Sequence, residues 1–310
     1  MLPWRRQKKT AASSEGDLFD DEFQRKLEYL ALVSRRVFAG RLRAERRTKK
    51  SGSGIEFADH REYQPGDDFR SLDWNVYQRF DRLLVRLYEE EEDLAIYLIL
   101  DTSASMGERA SIGAPTKLAY AKRVAAALAY VGLANLDRVT IVTTSDRVME
   151  RMPETRGKAR IFKAFRFLRG LEAEGATDLG DAMKTFVAQN KRRGLAVLIS
   201  DLYDPQGVER GVNVLRYAKF DTFIVHVVDP ADGRPNLQGD VLVYDCETGD
   251  EREVTVTAKV LDRFAQAYAQ YRGGVERFCA THQVAYVAAP IDVPFDELIL
   301  RVFRRGGFLR

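Results

Sequence analysis

Apolar runs that each end at a polar or acidic residue constrain the fold of this chain more than any other feature. The runs are residues 94–100, 195–199 and 223–228, and they end at Asp101, Ser200-Asp201 and Asp229. A strand that is apolar on both faces must be covered by helices on both sides of its sheet. The runs therefore predict strands buried in a parallel sheet.

Amphipathic helical stretches separate these strands. Apolar residues recur at helical spacing in residues 118–128, 161–168 and 260–271, and shorter strands are indicated at residues 139–142 and 284–287. Strands that alternate with helices imply right-handed βαβ crossovers, and therefore a doubly wound, mostly parallel α/β fold. Residues 239–256 interrupt this pattern and are typical of a hairpin insertion with a turn at Gly249-Asp250.

The chain divides into three parts. Residues 1–18 are polar and rich in small residues, which predicts a disordered tail. Residues 19–93 combine an amphipathic helix at 20–36, a basic loop at 40–54 and an aromatic-rich β-containing segment with a strand at 82–88. We expect this part not to fold alone, because one apolar stripe and a short sheet bury little surface. Residues 94–310 form the main domain, and a fragment limited to them should be less soluble than the full chain.

Composition excludes several classes of protein. The 310 residues are 45% hydrophobic and 31% charged with a net charge of +3, which is ordinary for a globular protein and provides no global field for nucleic acid. The two cysteines, Cys246 and Cys279, are far apart, so neither a disulfide framework nor a zinc site is expected. The chain shows no signal-peptide run and no stretch of about 20 apolar residues that could span a bilayer, which favours a cytoplasmic protein.

Oxygen-bearing side chains collect where the strands end. Asp101, Ser103 and Ser105 follow the first apolar run, Asp201 follows the second, and Thr177 lies where another helix begins, in a position suited to cap it. The carboxyl ends of parallel strands meet at one edge of the sheet, so these residues could share a crevice. Carboxylate and hydroxyl oxygens suit Mg²⁺, Mn²⁺ or Ca²⁺. The pattern predicts a divalent metal site, with Mg²⁺ favoured.

A structural alternative exists for the same motif. Ser103 and Ser105 could cap the helix that follows, and Asp101 could pair with a lysine. The short motif alone does not separate this alternative from a metal site. The preceding strand, Thr177 at a helix start and Asp201 after a buried strand favour the metal.

Taken together, these residues resemble a known site. Asp101, Ser103 and Ser105, with Gly175-Ala176-Thr177 and Asp201, resemble the metal-ion-dependent adhesion site of von Willebrand factor A-like domains, and the match covers residues 94–290. The resemblance implies that Ser103, Ser105 and Thr177 ligate the metal directly. It implies that Asp101 and Asp201 act through bound water and that a partner's carboxylate fills the open position. Ala176 departs mildly from the family, which often has a second glycine there.

The segment before the main domain sharpens the resemblance. Residues 63–75, YQPGDDFRSLDWN, resemble the signature of the bacterial family called domain of unknown function 58. The resemblance to this family covers nearly the whole chain from about residue 20. That resemblance implies a MoxR-type AAA+ ATPase as partner, and it implies no known activity. Within the segment, Asp73, Trp74 and Arg79 could form a partner-binding surface, but we favour a turn that buries the tryptophan.

With the resemblance, the site predicts a metal-dependent protein-protein interaction module, an accessory partner of the AAA+ ATPase in assembly or activation of other proteins. Two other functions compete with this one. A Mg²⁺-dependent hydrolase of the haloacid-dehalogenase type needs a second aspartate two residues after the first as general acid, and Ser103 stands there. With no His, Cys or Lys in the site loops, and no P-loop or GxSxG motif, we expect no enzyme activity.

The basic residues 35–50 could instead bind nucleic acid or an anionic surface. Phe38 is the one aromatic residue interleaved there, so a solvated face or a docking strip for the acidic residues 89–93 is favoured, and no nucleic-acid partner is expected.

Overall fold

The structure is a computed structural model, and it describes residues 18–38, 47–51, 56–91, 94–108 and 115–305. The disorder predicted for residues 1–18 falls, apart from Leu18, outside the described residues.

The chain alternates strands and helices over most of the described length. The strands are β1 (Arg47–Ser51), β2 (Glu56–Glu62), β3 (Leu84–Glu91), β4 (Ala95–Asp101), β5 (Arg138–Thr144), β6 (Val148–Thr155), β7 (Leu195–Ser200), β8 (Asp221–Val228), β9 (Gly239–Tyr244), β10 (Glu251–Val256) and β11 (Ala285–Pro290). The helices are α1 (Asp21–Phe38), α2 (Trp74–Phe80), α3 (Ala104–Gly107), α4 (Lys117–Ala134), α5 (Ile161–Arg169), α6 (Leu179–Gln189), α7 (Val208–Tyr217), α8 (Ala258–Thr281) and α9 (Phe295–Arg305).

A six-stranded sheet forms the centre of the molecule. Its strand order is β11-β8-β7-β4-β5-β6, with β6 antiparallel to β5 and the other neighbours parallel. The chain runs from β4 outwards to β5 and β6, and then returns to β7 on the other side of β4. Ligand crevices of doubly wound sheets form where the strand order reverses, here at the carboxyl ends of β4 and β7. The predicted doubly wound, mostly parallel α/β fold is confirmed.

Both faces of this sheet are buried, as the apolar runs require. Leu98 and Leu100 of β4 face the layer that contains α1, α4, α5 and α9, whereas Ile99 faces the layer that contains α6 and α7. Helix α4 is buried along nearly its whole length, because it lies between the sheet on one side and α1 and α9 on the other. Among the described residues, no helix is both long enough and apolar enough to cross a membrane.

The first helix contributes to the core of the main domain. Phe23, Leu27 and Leu30 of α1 are buried, and the ring of Phe23 lies 4.6 Å from the ring of Phe295 in α9. The helix thus places its apolar stripe on α4 and α9. This packing is consistent with the expectation that residues 19–93 do not fold alone, and the domain boundary itself stays a prediction.

We expect the substitution Leu27→Ala to lower the free energy of unfolding by about 2–5 kcal/mol, because it leaves a cavity at a residue that is 1% exposed. The matched control is Leu32→Ala on the same helix, where the leucine is 60% exposed and the change should stay within about 0.5 kcal/mol. Chemical denaturation of the full chain measures both. Equal stability of the two variants would show that α1 does not support the core.

A second, antiparallel sheet with the order β1-β3-β2 precedes the main domain. Residues 47–51 form the strand β1, so the prediction of a basic loop at residues 40–54 is wrong there. The other residues of that range lie outside the described residues. In the register, Arg47 is opposite Glu91 and Lys49 is opposite Glu89. Backbone pairing thus sets part of the basic run opposite part of the acidic run.

The turn predicted around residue 73 forms, but it does not bury the tryptophan. The Asp73 side chain caps α2 by accepting the backbone N–H groups of Asn75 and Val76. Trp74 is 56% exposed, so the expectation of a buried tryptophan is wrong. The Asp73 carboxylate contacts His60 and Arg86, whereas the ring of Trp74 contacts that of Tyr77 in the same short helix.

The predicted hairpin insertion at residues 239–256 is present. Strands β9 and β10 pair antiparallel as a two-stranded ribbon. Most of its side chains are exposed, and Val256 at its end is buried.

Candidate functional site

The loop after β4 holds two hydroxyl groups side by side. Asp101 ends the strand, and its Oδ1 accepts the backbone N–H of Ser103 at 2.9 Å. This bond folds the loop back on itself, so that Ser103 Oγ and Ser105 Oγ lie 3.0 Å apart. Both serines are buried, as is Asp101.

A second loop is fastened against the first by its backbone. Ala104 donates its N–H to the carbonyl of Gly175 at 2.8 Å, and Glu174 donates to the carbonyl of Thr102 at 2.7 Å. Gly175 has φ +88°, a left-handed conformation that favours glycine. Thr177, two residues further on, is buried beside this junction.

The second carboxylate comes from the neighbouring strand. Because β7 is parallel to β4, Asp201 emerges at the same edge of the sheet as Asp101. Ser200 Oγ donates to Asp101 Oδ2, which ties the two strand ends together. Burial, and next the charge of Asp201, raise the pKa of Asp101 to about 7, although hydrogen bonds from Ser200 and Ser103 act to lower it. The buried carboxylate of Asp201 thus disfavours the charged form of Asp101.

Asp101, Ser103 and Ser105 therefore lie beside Asp201 at the carboxyl ends of β4 and β7, and backbone bonds hold the loop that contains Thr177 against them. Their chemistry fits a small divalent ion held by hydroxyls: neighbouring ligands of an octahedral Mg²⁺, each about 2.1 Å from the ion, are roughly 3 Å apart. The two serine hydroxyls are hydrogen-bonded to each other at 3.0 Å, a separation that two neighbouring ligands would also have. In the part of the chain that the structure describes, no three His, Cys, Asp or Glu side chains form a metal cage, so a cation here would depend on the hydroxyl oxygens.

Sequence reasoning missed a lysine at this site. Lys117 Nζ donates to Asp201 Oδ2 at 2.6 Å and lies 3.6 Å from Asp232, with the lysine side chain 4% exposed. Burial acts to lower the pKa of Lys117, but the charges of Asp201 and Asp232 outweigh burial and raise it. The sequence-based expectation concerned only the site loops, and Lys117 reaches the site from the first turn of α4. One feature of the sequence could have revealed this residue. Lys117 is the first residue of α4, where the helix dipole disfavours a cation unless an acidic group compensates its charge.

Helix capping does not explain the hydroxyls. Thr116 caps α4 through the backbone N–H of Ala119, and Ser103 makes no side-chain capping bond to α3. Thr177 was predicted to cap α6, and this is wrong, because Asp178 caps that helix by accepting the N–H of Asp181 at 2.8 Å. The lysine of the structural alternative pairs with Asp201 rather than with Asp101.

A third carboxylate reaches the site from the hairpin. Glu247, at the turn between β9 and β10, accepts the backbone N–H of Thr177 at 2.9 Å and its hydroxyl at 2.8 Å. The sequence indicated the hairpin, but nothing in its local pattern indicated that its turn folds over the crevice.

Two further polar residues near the crevice have structural roles. His226 is buried, and burial followed by the charge of Arg272 lowers its pKa to about 3. Its Nδ1 lies 2.9 Å from the hydroxyl of Tyr286. Asp229 accepts the backbone N–H of Ala231 at 2.9 Å and so starts the turn after β8. His226 is a hydrogen-bonded core residue, as expected.

Known proteins resemble this chain over most of its length. Uncharacterized protein Rv1480 of Mycobacterium tuberculosis is 29% identical over 265 residues, which are 84% of this chain and 83% of that protein. BatB of Bacteroides thetaiotaomicron has a TM-score of 0.43 at 16% identity, covering 68% of this chain and 97% of that one. The SpRpn10 VWA domain has a TM-score of 0.39 at 14% identity, covering 68% and 95%. At these TM-scores the two solved structures carry no argument about function.

A family match gives the firmest assignment. The family described as protein of unknown function DUF58 matches residues 59–273, a span that includes the exposed turn around Trp74, the five site residues and the hairpin. Because this match extends over most of the chain, the protein belongs to the DUF58 family.

Proposed function

We propose that this chain is a protein-binding module whose interaction depends on a divalent cation, with Mg²⁺ favoured over Mn²⁺ or Ca²⁺. The observation that supports it most is the pair of buried carboxylates, Asp101 and Asp201, beside buried hydroxyls at the point where the strand order reverses. Ser103, Ser105 and Thr177 would hold the ion, and the two aspartates would act through water. The ion would supply an open position for an incoming oxygen.

Lys117 adds to this proposal. Its ammonium already balances Asp201, so the protein's own share of negative charge at the ion is small. A cation that is incompletely neutralised attracts a further anion, and a carboxylate is the oxygen ligand that proteins offer most readily. We therefore propose that the partner supplies an acidic side chain. The family resemblance makes a MoxR-type AAA+ ATPase the candidate partner.

We propose binding rather than catalysis. The Ser103 hydroxyl contacts the Ser105 hydroxyl, and a pair of hydroxyls provides no base to activate a nucleophile. Ser103 also occupies the position where a phosphatase of the haloacid-dehalogenase type needs its acid. Lys117 is held in an ion pair between Asp201 and Asp232.

We expect the tagged protein to capture the AAA+ ATPase in Mg²⁺ and to lose it in EDTA, because without the cation the site presents carboxylates to an acidic partner. A pull-down in the two buffers measures this, with Mg²⁺ added back to the EDTA sample as the control. Equal capture in both buffers would place the interaction elsewhere on the surface.

A further inference from the structure

The turn of the hairpin is built to hold one carboxylate in place. Asp245 Oδ1 accepts the backbone N–H of Glu247 at 2.8 Å and that of Thr248 at 3.0 Å. The backbone of Gly249, with φ +80°, closes the turn by donating to the carbonyl of Asp245 at 2.9 Å. These bonds fix where the Glu247 side chain leaves the hairpin.

Elsewhere the hairpin is held weakly. Leu242, Val243 and Tyr244 of β9 are 58%, 45% and 61% exposed, so this strand buries little apolar surface. Among the described residues, the two hydrogen bonds from Thr177 to Glu247 are those that join the hairpin turn to the main domain. An isolated two-stranded ribbon is marginally stable by itself. The turn can therefore leave the crevice if those two bonds are replaced.

The chemistry of the contact matches what an acidic partner would offer. Both oxygens of Glu247 are used, one by the Thr177 amide and the other by its hydroxyl. Thr177 is also one of the hydroxyls proposed to hold the cation. A carboxylate of the same chain thus lies where a carboxylate from outside would have to arrive.

We propose that Glu247 is an internal ligand of this site, and that the acidic side chain of the partner binds by displacing it. The hairpin then closes the site in the free protein, and partner binding is a competition between two carboxylates. This inference rests on the proposed function, because it assumes that an acidic partner binds at the cation.

We expect the substitution Glu247→Ala to increase capture of the AAA+ ATPase in Mg²⁺ by about 10-fold, since hydrogen bonds to a charged group no longer oppose the partner. Glu247→Asp should act in the same direction, because it keeps the charge but shortens the reach to Thr177. The matched control is Glu253→Ala, which removes an exposed carboxylate from the same hairpin and should leave capture unchanged. Binding curves in Mg²⁺ and in EDTA measure the change.

The two cysteines provide a second readout. Cys246 is partly exposed next to Glu247, and Cys279 is buried, so alkylation of Cys246 relative to Cys279 reports opening of the turn. We expect faster alkylation of Cys246 in Glu247→Asp, where the charge beside the thiol is retained, and an unchanged rate in Glu253→Ala.

The outcomes separate the two proposals. Unchanged alkylation of Cys246 in Glu247→Asp and Glu247→Ala would overturn the internal ligand, as would faster alkylation without a gain in Mg²⁺-dependent capture. The second result would make Glu247 a residue that only orients Thr177. If capture of the ATPase were the same in Mg²⁺ and in EDTA for every variant, both the proposed function and the internal ligand would be overturned.

Discussion

The substitution Lys117→Met will lower the free energy of unfolding by about 3–5 kcal/mol in EDTA, because it leaves the carboxylate of Asp201 buried without its partner. Asp201 is 1% exposed, and the distance of 2.6 Å to the ammonium leaves no room for water between them. Methionine matches the lysine side chain as far as Cε and lacks the ammonium, so the loss is mainly one of charge. Urea denaturation of the full chain in EDTA measures the effect.

Two comparisons test whether the loss of stability comes from the broken ion pair. The double variant Lys117→Met with Asp201→Asn should lose less free energy of unfolding than the two single variants together, because replacing both residues leaves neither of these two charges buried without its partner. Mg²⁺ should restore part of the stability of Lys117→Met, because a cation at the site replaces the missing charge. Lys122→Met is the matched control: Lys122 is also buried on α4 but donates to the carbonyl of Leu171, so Mg²⁺ should not restore its stability. A Lys117→Met protein as stable as the wild type in EDTA would mean that the ion pair does not hold the crevice together.

The substitution Asp101→Ala will weaken the binding of Mg²⁺ or Mn²⁺ by about 10- to 100-fold or more, as expected for a carboxylate that supports the ligands of an ion. Asp101 orients the loop through the N–H of Ser103 and joins β7 through Ser200. Removing it should therefore disturb both serine hydroxyls. Calorimetric titration with Mn²⁺ measures the affinity.

Capture of the partner should fall together with the affinity for the metal. Ser103→Ala should weaken capture less, because it removes one hydroxyl and leaves the loop intact. Circular dichroism should show an unchanged fold in both variants, since Asp101 is the last residue of β4 and its carboxylate bonds to Ser103 and Ser200 rather than packing in the apolar core. If Asp101→Ala bound Mn²⁺ as tightly as the wild type, the cation would not lie at these residues.

The amino-acid pattern was enough to predict the central sheet and where its polar residues emerge. A buried strand in a parallel sheet needs apolar side chains on both faces, and such a run ends where the first polar residue appears. Asp101 and Asp201 follow two such runs, and parallel strands deliver their ends to one edge. The order of the strands did not follow from this pattern, because neighbours in the sheet are chosen by packing between elements far apart in sequence.

The charges that complete the site were decided by tertiary structure. Lys117 meets Asp201 across 84 residues of sequence, and Glu247 meets Thr177 across 70. Each lies in a segment whose local pattern predicts only a helix start or a turn, and local patterns contain no information about distant contacts.

The same distinction separates the right and wrong predictions for single residues. The hairpin at residues 239–256 follows from its alternating strands and turn residues, which are local features. The exposure of Trp74 and the capping of α6 by Asp178 depend on which neighbours the chain folds against. The sequence by itself determined the α/β sheet and the edge at which its oxygen-bearing side chains gather, because side-chain periodicity reports burial. Only the tertiary structure decided that Lys117 pairs with Asp201 and that Glu247 bonds to Thr177, because charged and polar groups are paired by proximity in space.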